Sequence, residues 1–166
     1  MFQFNQENHQ KSQEILAKYP SDKKRSAIMP FLWLAQEQDG DNILSKDKIE
    51  YVAQLLSIPV IQVYEVATFY TMYNLENVGA NHIQICNTVP CSLVGSKDIL
   101  ATIEKLTGVK ENTISPNGKF SFSKVECLGA CNAAPVIQIN NKQYHEKMNK
   151  EKMLELFYKL SGLENI

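Results

Sequence analysis

The four cysteines of the chain stand in two close pairs, and this pattern points to metal or redox chemistry. Four residues separate Cys86 from Cys91 in HIQICNTVPC, and three separate Cys127 from Cys131 in CLGAC. Between the two pairs lie 35 residues. Thiolates are soft ligands for zinc and iron, and paired thiols also perform disulfide exchange. The spacing therefore leaves several interpretations: an iron–sulfur cluster, a zinc site, and disulfides or plain buried cysteines.

The composition favours a protein of a reducing compartment that does not enter a membrane. The 166 residues carry a formal net charge of −1, so no excess of positive charge points to nucleic acid or an anionic lipid surface. The first residues, MFQFNQENHQKS, lack the features of a signal peptide. The longest nearly apolar run, AIMPFLWLA, has nine residues, whereas a membrane-spanning helix needs about 20. We expect a cytosolic-type protein, in which paired cysteines bind metal or act in redox chemistry more often than they form structural disulfides.

Helical periodicity covers the first part of the chain. Apolar residues recur every three or four positions in QKSQEILAKY, SAIMPFLWLAQEQ, KIEYVAQLLS and VIQVYEVATFYTMY. After about Gly79 the pattern becomes strand, helix, strand, hairpin and helix, in the segments HIQIC, SKDILATIEKLTG, FSFSKVEC, VIQIN–KQYHE and KEKMLELFYKLSG. We therefore predict two domains, a helical region over residues 1–78 and a mixed domain over residues 79–166.

The predicted topology brings the two cysteine pairs together. A right-handed β-α-β crossover makes the first two strands parallel, and the hairpin around Asn140 and Asn141 adds two antiparallel strands. The fold class is therefore α+β: an N-terminal helical bundle followed by a thioredoxin-like domain with a four-stranded mixed sheet and flanking helices. Cys86 is predicted to end the first strand and Cys127 the second. Because parallel strands end at the same edge of a sheet, we expect all four sulfurs near that edge.

The spacing within the pairs favours an iron–sulfur cluster and leaves zinc open. Structural zinc sites often place about two residues between paired ligands, and the gaps here are wider. A [2Fe–2S] cluster offers two irons that each need two cysteines, which matches two separated pairs. The loop around Cys127 and Cys131 holds small residues, including Gly129 and Ala130, so that backbone N–H groups could donate hydrogen bonds to sulfur.

The sequence resembles a family of thioredoxin-like [2Fe–2S] proteins, the E subunits of the bacterial respiratory NADH:quinone oxidoreductase. The resemblance rests on HIQICNTVPCSLVGS and VECLGACNAAPVIQIN, and on the upstream SAIMPFLWLAQE and IPVIQVYEVATFYTMY. It implies one [2Fe–2S] cluster, with Cys86 and Cys91 on one iron and Cys127 and Cys131 on the other. Thioredoxin-like folds also often carry a cis-proline before the strand that faces such loops, and Pro135 stands at that point.

The resemblance also implies a function. The chain would be a non-catalytic electron-transfer subunit whose cluster accepts single electrons from FMN on a neighbouring subunit, where NADH is oxidised. Its partners would be that flavin subunit and other subunits of the hydrophilic arm, peripheral to the inner membrane on its cytoplasmic side. The sequence contains no glycine-rich nucleotide fingerprint of its own. Similar subunits occur in NAD-linked hydrogenases and formate dehydrogenases, which form the alternative.

Two functions of other classes are less favoured. KIEYVAQLLSIPVIQVYEVATF has the rhythm of a DNA-binding helix-turn-helix in a redox sensor, but its second helix offers no positive charge to phosphates. A thiol oxidoreductase would need a Cys-x-x-Cys motif at a helix start, and neither pair has that spacing.

Several other residues have structural interpretations. We expect His82 to be a surface or hydrogen-bonded histidine rather than a metal ligand. His9 and His145 lie in polar contexts, and nothing in the sequence around them indicates a metal ligand. The aromatic residues Tyr64, Phe69, Tyr70 and Tyr73 are expected mainly in the helical core. As an alternative, Tyr70 and Tyr73 could form an exposed face for the flavin subunit.

Overall fold

The computed structural model describes residues 2–162, so residues 163–166 of the predicted second domain lie outside the described part. The chain forms two compact units, with the boundary between Asn77 and Val78. Within residues 2–162, no helix combines the length and apolar character that crossing a bilayer requires.

The first unit consists of helices. It contains α1 (Gln6–Leu16), a 3₁₀ helix (Ser21–Ala27), α2 (Ile28–Glu37), α3 (Lys46–Leu56) and α4 (Val60–Phe69). The side chain of Asn5 accepts a hydrogen bond from the Asn8 N–H and so caps α1. The helices enclose a common apolar core whose fully buried members include Phe31, Leu32, Val52, Leu56 and Val63.

The aromatic end of α4 differs from the expectation. The helix ends at Phe69, and a turn then carries the chain to Tyr73, which is buried and donates its hydroxyl hydrogen bond to the carbonyl of Met29 (2.9 Å). The alternative expectation, that Tyr70 and Tyr73 form an exposed face, is therefore wrong for Tyr73. The expectation that Tyr64, Phe69 and Tyr70 lie in the core is also wrong, because all three side chains are exposed.

The second unit has the predicted mixed sheet. Its elements are β1 (Asn81–Cys86), α5 (Val89–Leu93), α6 (Ser96–Thr107), β2 (Phe120–Val125), a 3₁₀ helix (Cys131–Ala133), β3 (Ile137–Ile139), β4 (Gln143–His145) and α7 (Lys150–Ser161). The strand order is β2-β1-β3-β4, with β1 parallel to β2 and the other pairs antiparallel. This confirms the predicted fold class. The short helix α5 is an element that the sequence pattern did not reveal.

The beginning of β1 is held tightly against β2. A Cβ atom at Gly79 would lie 2.5 Å from the backbone carbonyl carbon of Phe120, so only glycine fits there without a shift of the chain. The Gly79 N–H donates to Ser121 Oγ (2.8 Å). This close approach fixes the start of the parallel pairing, in which Asn81 lies opposite Phe120 and Cys86 opposite Val125.

His82 joins the two parallel strands from within the sheet. Its side chain is buried, with Nδ1 2.7 Å from Ser121 Oγ and Nε2 3.0 Å from Ser123 Oγ. Because Ser121 Oγ already accepts the Gly79 N–H, its own proton is available for Nδ1, and the Nε2–H can donate to Ser123. We expected His82 to lie on the surface or to be hydrogen-bonded. It is hydrogen-bonded, and it does not lie on the surface.

Burial lowers the pKa of His82 to about 4, from an ordinary value of 6.5, because the charged ring would lose its hydration. The folded state therefore favours the neutral ring. The stability from this preference is fully present above pH 6.5 and is lost as the pH falls from 6.5 towards 4. We expect a loss of about 3 kcal/mol across that window.

Urea unfolding between pH 7 and pH 4 tests this expectation. The His82→Gln variant should have a lower free energy of unfolding at pH 7 but a weaker dependence on pH than the wild type. His145 is the matched control, because burial and the charge of Lys159 also lower its pKa. An unchanged pH dependence in His82→Gln, with a flattened one in His145→Gln, would show that His82 is not the responsible group.

Candidate metal centre

The first cysteine pair lies at the carboxyl end of β1. Cys86 is the last residue of the strand and Cys91 lies on α5, which starts three residues after Cys86. Pro90 stands in the first turn of α5, where its missing N–H and fixed φ suit a helix start. Both sulfur-bearing side chains are 1% exposed and pack against Val136. The Thr88 hydroxyl lies 3.3 Å from the Cys86 sulfur.

The second pair lies on the loop that follows β2. The strand ends at Val125, so the prediction that Cys127 ends it is wrong by two residues. Cys131 begins a 3₁₀ helix, and the sulfurs of Cys127 and Cys131 are 3.3 Å apart. Both residues are exposed, in contrast to the first pair. The Gly129 N–H donates to the Cys127 sulfur (3.4 Å), and Gly129 itself has a positive φ of +79°, which glycine adopts readily.

Backbone amides lie close enough to the buried sulfurs to affect their ionisation. The amide of Leu128, on the second loop, lowers the pKa of Cys86, and the amide of Val136 lowers the pKa of Cys91. The parallel pairing of β1 with β2 thus brings both cysteine loops to one edge of the sheet, as expected. Within residues 2–162, no three or more His, Cys, Asp or Glu side chains converge as the ligands of one ion do. The thiols form two neighbouring pairs instead.

The thiols within each pair influence one another. Burial and the hydrogen bond with Cys86 raise the pKa of Cys91 to about 11. Burial also opposes ionisation of Cys86, but hydrogen bonds from Thr88, Leu128 and Cys91 outweigh it, so its pKa falls below the ordinary value. The hydrogen bond with Cys127 and the charge of that residue raise the pKa of Cys131. Metal binding would have to displace the protons of Cys91 and Cys131.

These features suit a [2Fe–2S] cluster. The donors are four sulfurs in two pairs, which matches two irons with two thiolate ligands each. The Gly129 amide donates to the Cys127 sulfur, and the Thr88 hydroxyl lies within hydrogen-bond distance of the Cys86 sulfur. The Leu128 and Val136 amides lower the pKa values of Cys86 and Cys91, and groups of these kinds surround such clusters. When bound, the cluster would exchange single electrons, and these donors would influence its reduction potential.

An apolar surface adjoins the first pair. Val89, Leu93 and Val94, on and just after α5, are 71%, 80% and 54% exposed. They stand within three residues of Cys91 along the chain. Exposed apolar side chains in such a group are typical of protein–protein contacts. Sequence periodicity missed this surface because α5 has only five residues.

The histidines do not enter this site. Both ring nitrogens of His82 are engaged by serines in the sheet, and His145 lies on β4. Next to the cysteine loops, the Ala134–Pro135 peptide bond is cis, as the position of Pro135 suggested.

Comparison with known proteins identifies the family. The model of the family described as thioredoxin-like [2Fe–2S] ferredoxin matches residues 12–161. The chain belongs to this family. It is 49% identical over 159 residues to the E subunit of NADH-quinone oxidoreductase from Rickettsia bellii (strain RML369-C), covering 96% of this chain and 94% of that relative. It is 50% identical over 161 residues to the E subunit from Rickettsia conorii (strain ATCC VR-613 / Malish 7), covering 97% and 95%.

Among solved structures, this ferredoxin-family chain is similar to an NAD⁺-reducing [NiFe]-hydrogenase in the H₂-reduced state. The TM-score is 0.68 at 14% sequence identity, over 84% of this chain and 23% of the hydrogenase chain. The hydrogenase in its air-oxidized state gives a TM-score of 0.65, also at 14% identity, over 79% and 23% of the two chains. At this identity the similarity shows the fold alone. The chain spans only about a quarter of the length of the hydrogenase chain.

Substitution of one cysteine tests the site directly. In the Cys131→Ser variant a harder oxygen replaces a soft thiolate, and we expect the protein to retain iron at least about tenfold more weakly than the wild type. Iron and sulfide assays during chelator titration measure this. The matched control is Asn132→Ala, an exposed neighbour in the same loop, which should retain the wild-type iron content. Equal iron retention in both variants would remove Cys131 from the ligand set.

Proposed function

We propose that the chain is an electron-transfer subunit of an NADH:quinone oxidoreductase, and that Cys86, Cys91, Cys127 and Cys131 hold one [2Fe–2S] cluster. Two features support this: the loops that hold the two cysteine pairs leave one edge of the sheet, and the chain is similar over nearly its whole length to the E subunits of NADH-quinone oxidoreductases. In this arrangement Cys86 and Cys91 hold one iron, and Cys127 and Cys131 hold the other.

The two pairs have different tasks in this proposal. Cys86 and Cys91 lie in an apolar setting with Val136, which keeps water from their side of the cluster. Cys127 and Cys131 lie at the surface, where an electron partner can approach closely. The Leu128 and Val136 amides stabilise negative charge on the buried sulfurs and so favour the reduced state.

The chain is proposed to be non-catalytic on its own. Oxidation of NADH releases a hydride, which carries two electrons, whereas a [2Fe–2S] cluster exchanges one electron at a time. A flavin accepts the hydride and passes on single electrons. The sequence contains no glycine-rich nucleotide fingerprint, so we assign FMN and the NADH site to a partner subunit.

The exposed face of α4 is proposed as a docking surface for the flavin-bearing subunit. This α4 surface consists of Val60, Ile61, Tyr64, Phe69 and the adjoining Tyr70, which are all exposed. The Phe69 and Tyr70 rings pack edge to face, with centroids 5.0 Å apart. Exposed aromatic residues grouped with aliphatic ones are typical of the buried centre of an interface. Other subunits of the hydrophilic arm would cover the remaining contacts, peripheral to the membrane on its cytoplasmic side.

The other candidate functions receive less support. Similarity to a hydrogenase is confined to the fold at 14% identity, whereas the two Rickettsia relatives reach 49–50%. A DNA-binding role for α3 and α4 would need positive charge on the second helix, and α4 contains neither lysine nor arginine.

The flavin requirement gives a direct test of the proposed function. Purified, flavin-free chain loaded with its cluster should show no change in visible absorbance when NADH is added anaerobically. Addition of the flavin subunit should then allow NADH to bleach the cluster absorbance. Dithionite serves as the positive control, because it donates electrons without a flavin. Reduction by NADH in the absence of any flavin would overturn the proposal that the chain is a non-catalytic subunit.

The α4 surface can be tested by affinity measurements with the flavin subunit. Tyr64→Ala and Phe69→Ala should each weaken binding by about 1–2 kcal/mol or more, because buried aromatic residues often dominate interface energetics. Tyr144→Ala on β4 is the matched control, since Tyr144 is 48% exposed and Tyr64 is 47% exposed. Equal affinities for all three variants and the wild type would exclude the α4 surface as a major contact.

A further inference from the structure

The two cysteine pairs differ in their access to solvent. Cys127 and Cys131 are exposed on a loop, whereas Cys86 and Cys91 are each 1% exposed and pack against Val136. A thiol reacts with a dissolved oxidant only where that oxidant can approach the sulfur. In the cluster-free chain the two pairs are therefore unequal targets for oxidation.

We propose that Cys127 and Cys131 form a reversible disulfide in the cluster-free chain when it meets a low-molecular-weight disulfide such as oxidised glutathione, while Cys86 and Cys91 remain thiols. The proposal rests on the access and spacing of the sulfurs, and it does not depend on which metal group the cysteines bind.

The geometry of the exposed pair suits this bond. The two sulfurs are 3.3 Å apart, and closing the disulfide brings them to about 2.05 Å. The loop between them contains Gly129, which has open space around its α-carbon and a positive φ. Only three residues separate the cysteines, so a small change in this exposed loop can supply the movement.

The reaction takes place in two exchange steps. The thiolate of one exposed cysteine attacks a sulfur of oxidised glutathione, so the glutathione S–S bond breaks and one glutathione thiolate leaves. The thiolate of the second cysteine then attacks the protein sulfur of this mixed disulfide, and the second glutathione thiolate leaves. The protein loses two electrons and two protons, and oxidised glutathione becomes two thiols.

The buried pair does not enter this reaction. An attacking thiolate must line up with the S–S bond of the oxidant, and the side chains around Cys86 and Cys91 leave no room for a molecule the size of glutathione. Leu128, Ala130 and Ala134 complete this apolar cover. The oxidant is therefore kept from the buried sulfurs while the chain remains folded.

The disulfide would prevent the chain from binding a cluster until it is reduced. Cys127 and Cys131 cannot ligate iron while their sulfurs are bonded to each other, so loading must wait for reduction. Both cysteines are exposed, so a reducing thiol can reach the bond. The disulfide is therefore expected to be readily reduced, as exposed regulatory disulfides are.

Thiol mapping of the full chain tests the proposal. The cluster is removed anaerobically by chelation, and the chain is incubated with oxidised and reduced glutathione at a series of ratios. Iodoacetamide then labels accessible thiols, N-ethylmaleimide labels the remaining thiols after denaturation, and peptide mass spectrometry locates both labels and any disulfide. Cys127 and Cys131 should lose their thiols together, at least about tenfold faster than Cys86 and Cys91, and appear as one intrachain disulfide.

Two variants support the mapping. Cys131→Ser should accumulate a mixed disulfide between Cys127 and glutathione, because the second exchange step is removed. Cys91→Ser, as the matched control in the buried pair, should still close the Cys127–Cys131 bond. The wild-type map alone decides the question if a variant fails to fold. A Cys86–Cys91 disulfide, bonds between the pairs, or four intact thiols in oxidised glutathione without reduced glutathione would overturn the proposal.

The outcome is separable from the cluster assignment. The disulfide is measured in metal-free protein, so it can be found even in a chain that binds zinc. Conversely, an absent disulfide would leave iron and sulfide binding by the reduced chain unaffected.

Discussion

The parallel pairing of β1 with β2 is the interaction that determines where the four sulfurs lie. It places Cys86 opposite Val125, so the loops after both strands leave the same edge of the sheet. Gly79 allows the strands to meet closely, and Ser121 holds both the Gly79 amide and the His82 ring. A shift of one residue in this register would turn alternate side chains of β1 to the other face and separate the Leu128 amide from the Cys86 sulfur.

The same topology makes the two cysteine pairs unequal. Cys86 ends the central strand β1 and Cys91 follows it, and both are covered by Val136, just before the neighbouring β3. Cys127 and Cys131 follow β2, which lies at the edge of the sheet, and they face solvent. A cluster bound by both pairs would thus have one protected side and one accessible side. Such asymmetry suits electron transfer to a docked partner, and it leaves the metal-free chain with one oxidisable pair.

Much of the fold could be predicted from the sequence, because alternating apolar residues and the handedness of the β-α-β crossover define the sheet. The convergence of the cysteine loops followed from that topology. The missed features depend on distant residues: Tyr73 bonds to Met29, 44 positions away, and His82 bonds to Ser121 and Ser123, 39 and 41 positions away. Local patterns cannot show such partners. The five-residue α5 was too short to display a helical period, and the exposure of Tyr64 and Phe69 reflects a surface without a partner inside its unit.

The binding of one [2Fe–2S] cluster by the two cysteine pairs can be measured by metal and sulfide analysis together with EPR of anaerobically purified protein. We expect about two irons and two acid-labile sulfides per chain, and an EPR signal that appears only after one-electron reduction. Stoichiometric zinc without sulfide, and no EPR signal after reduction, would contradict it.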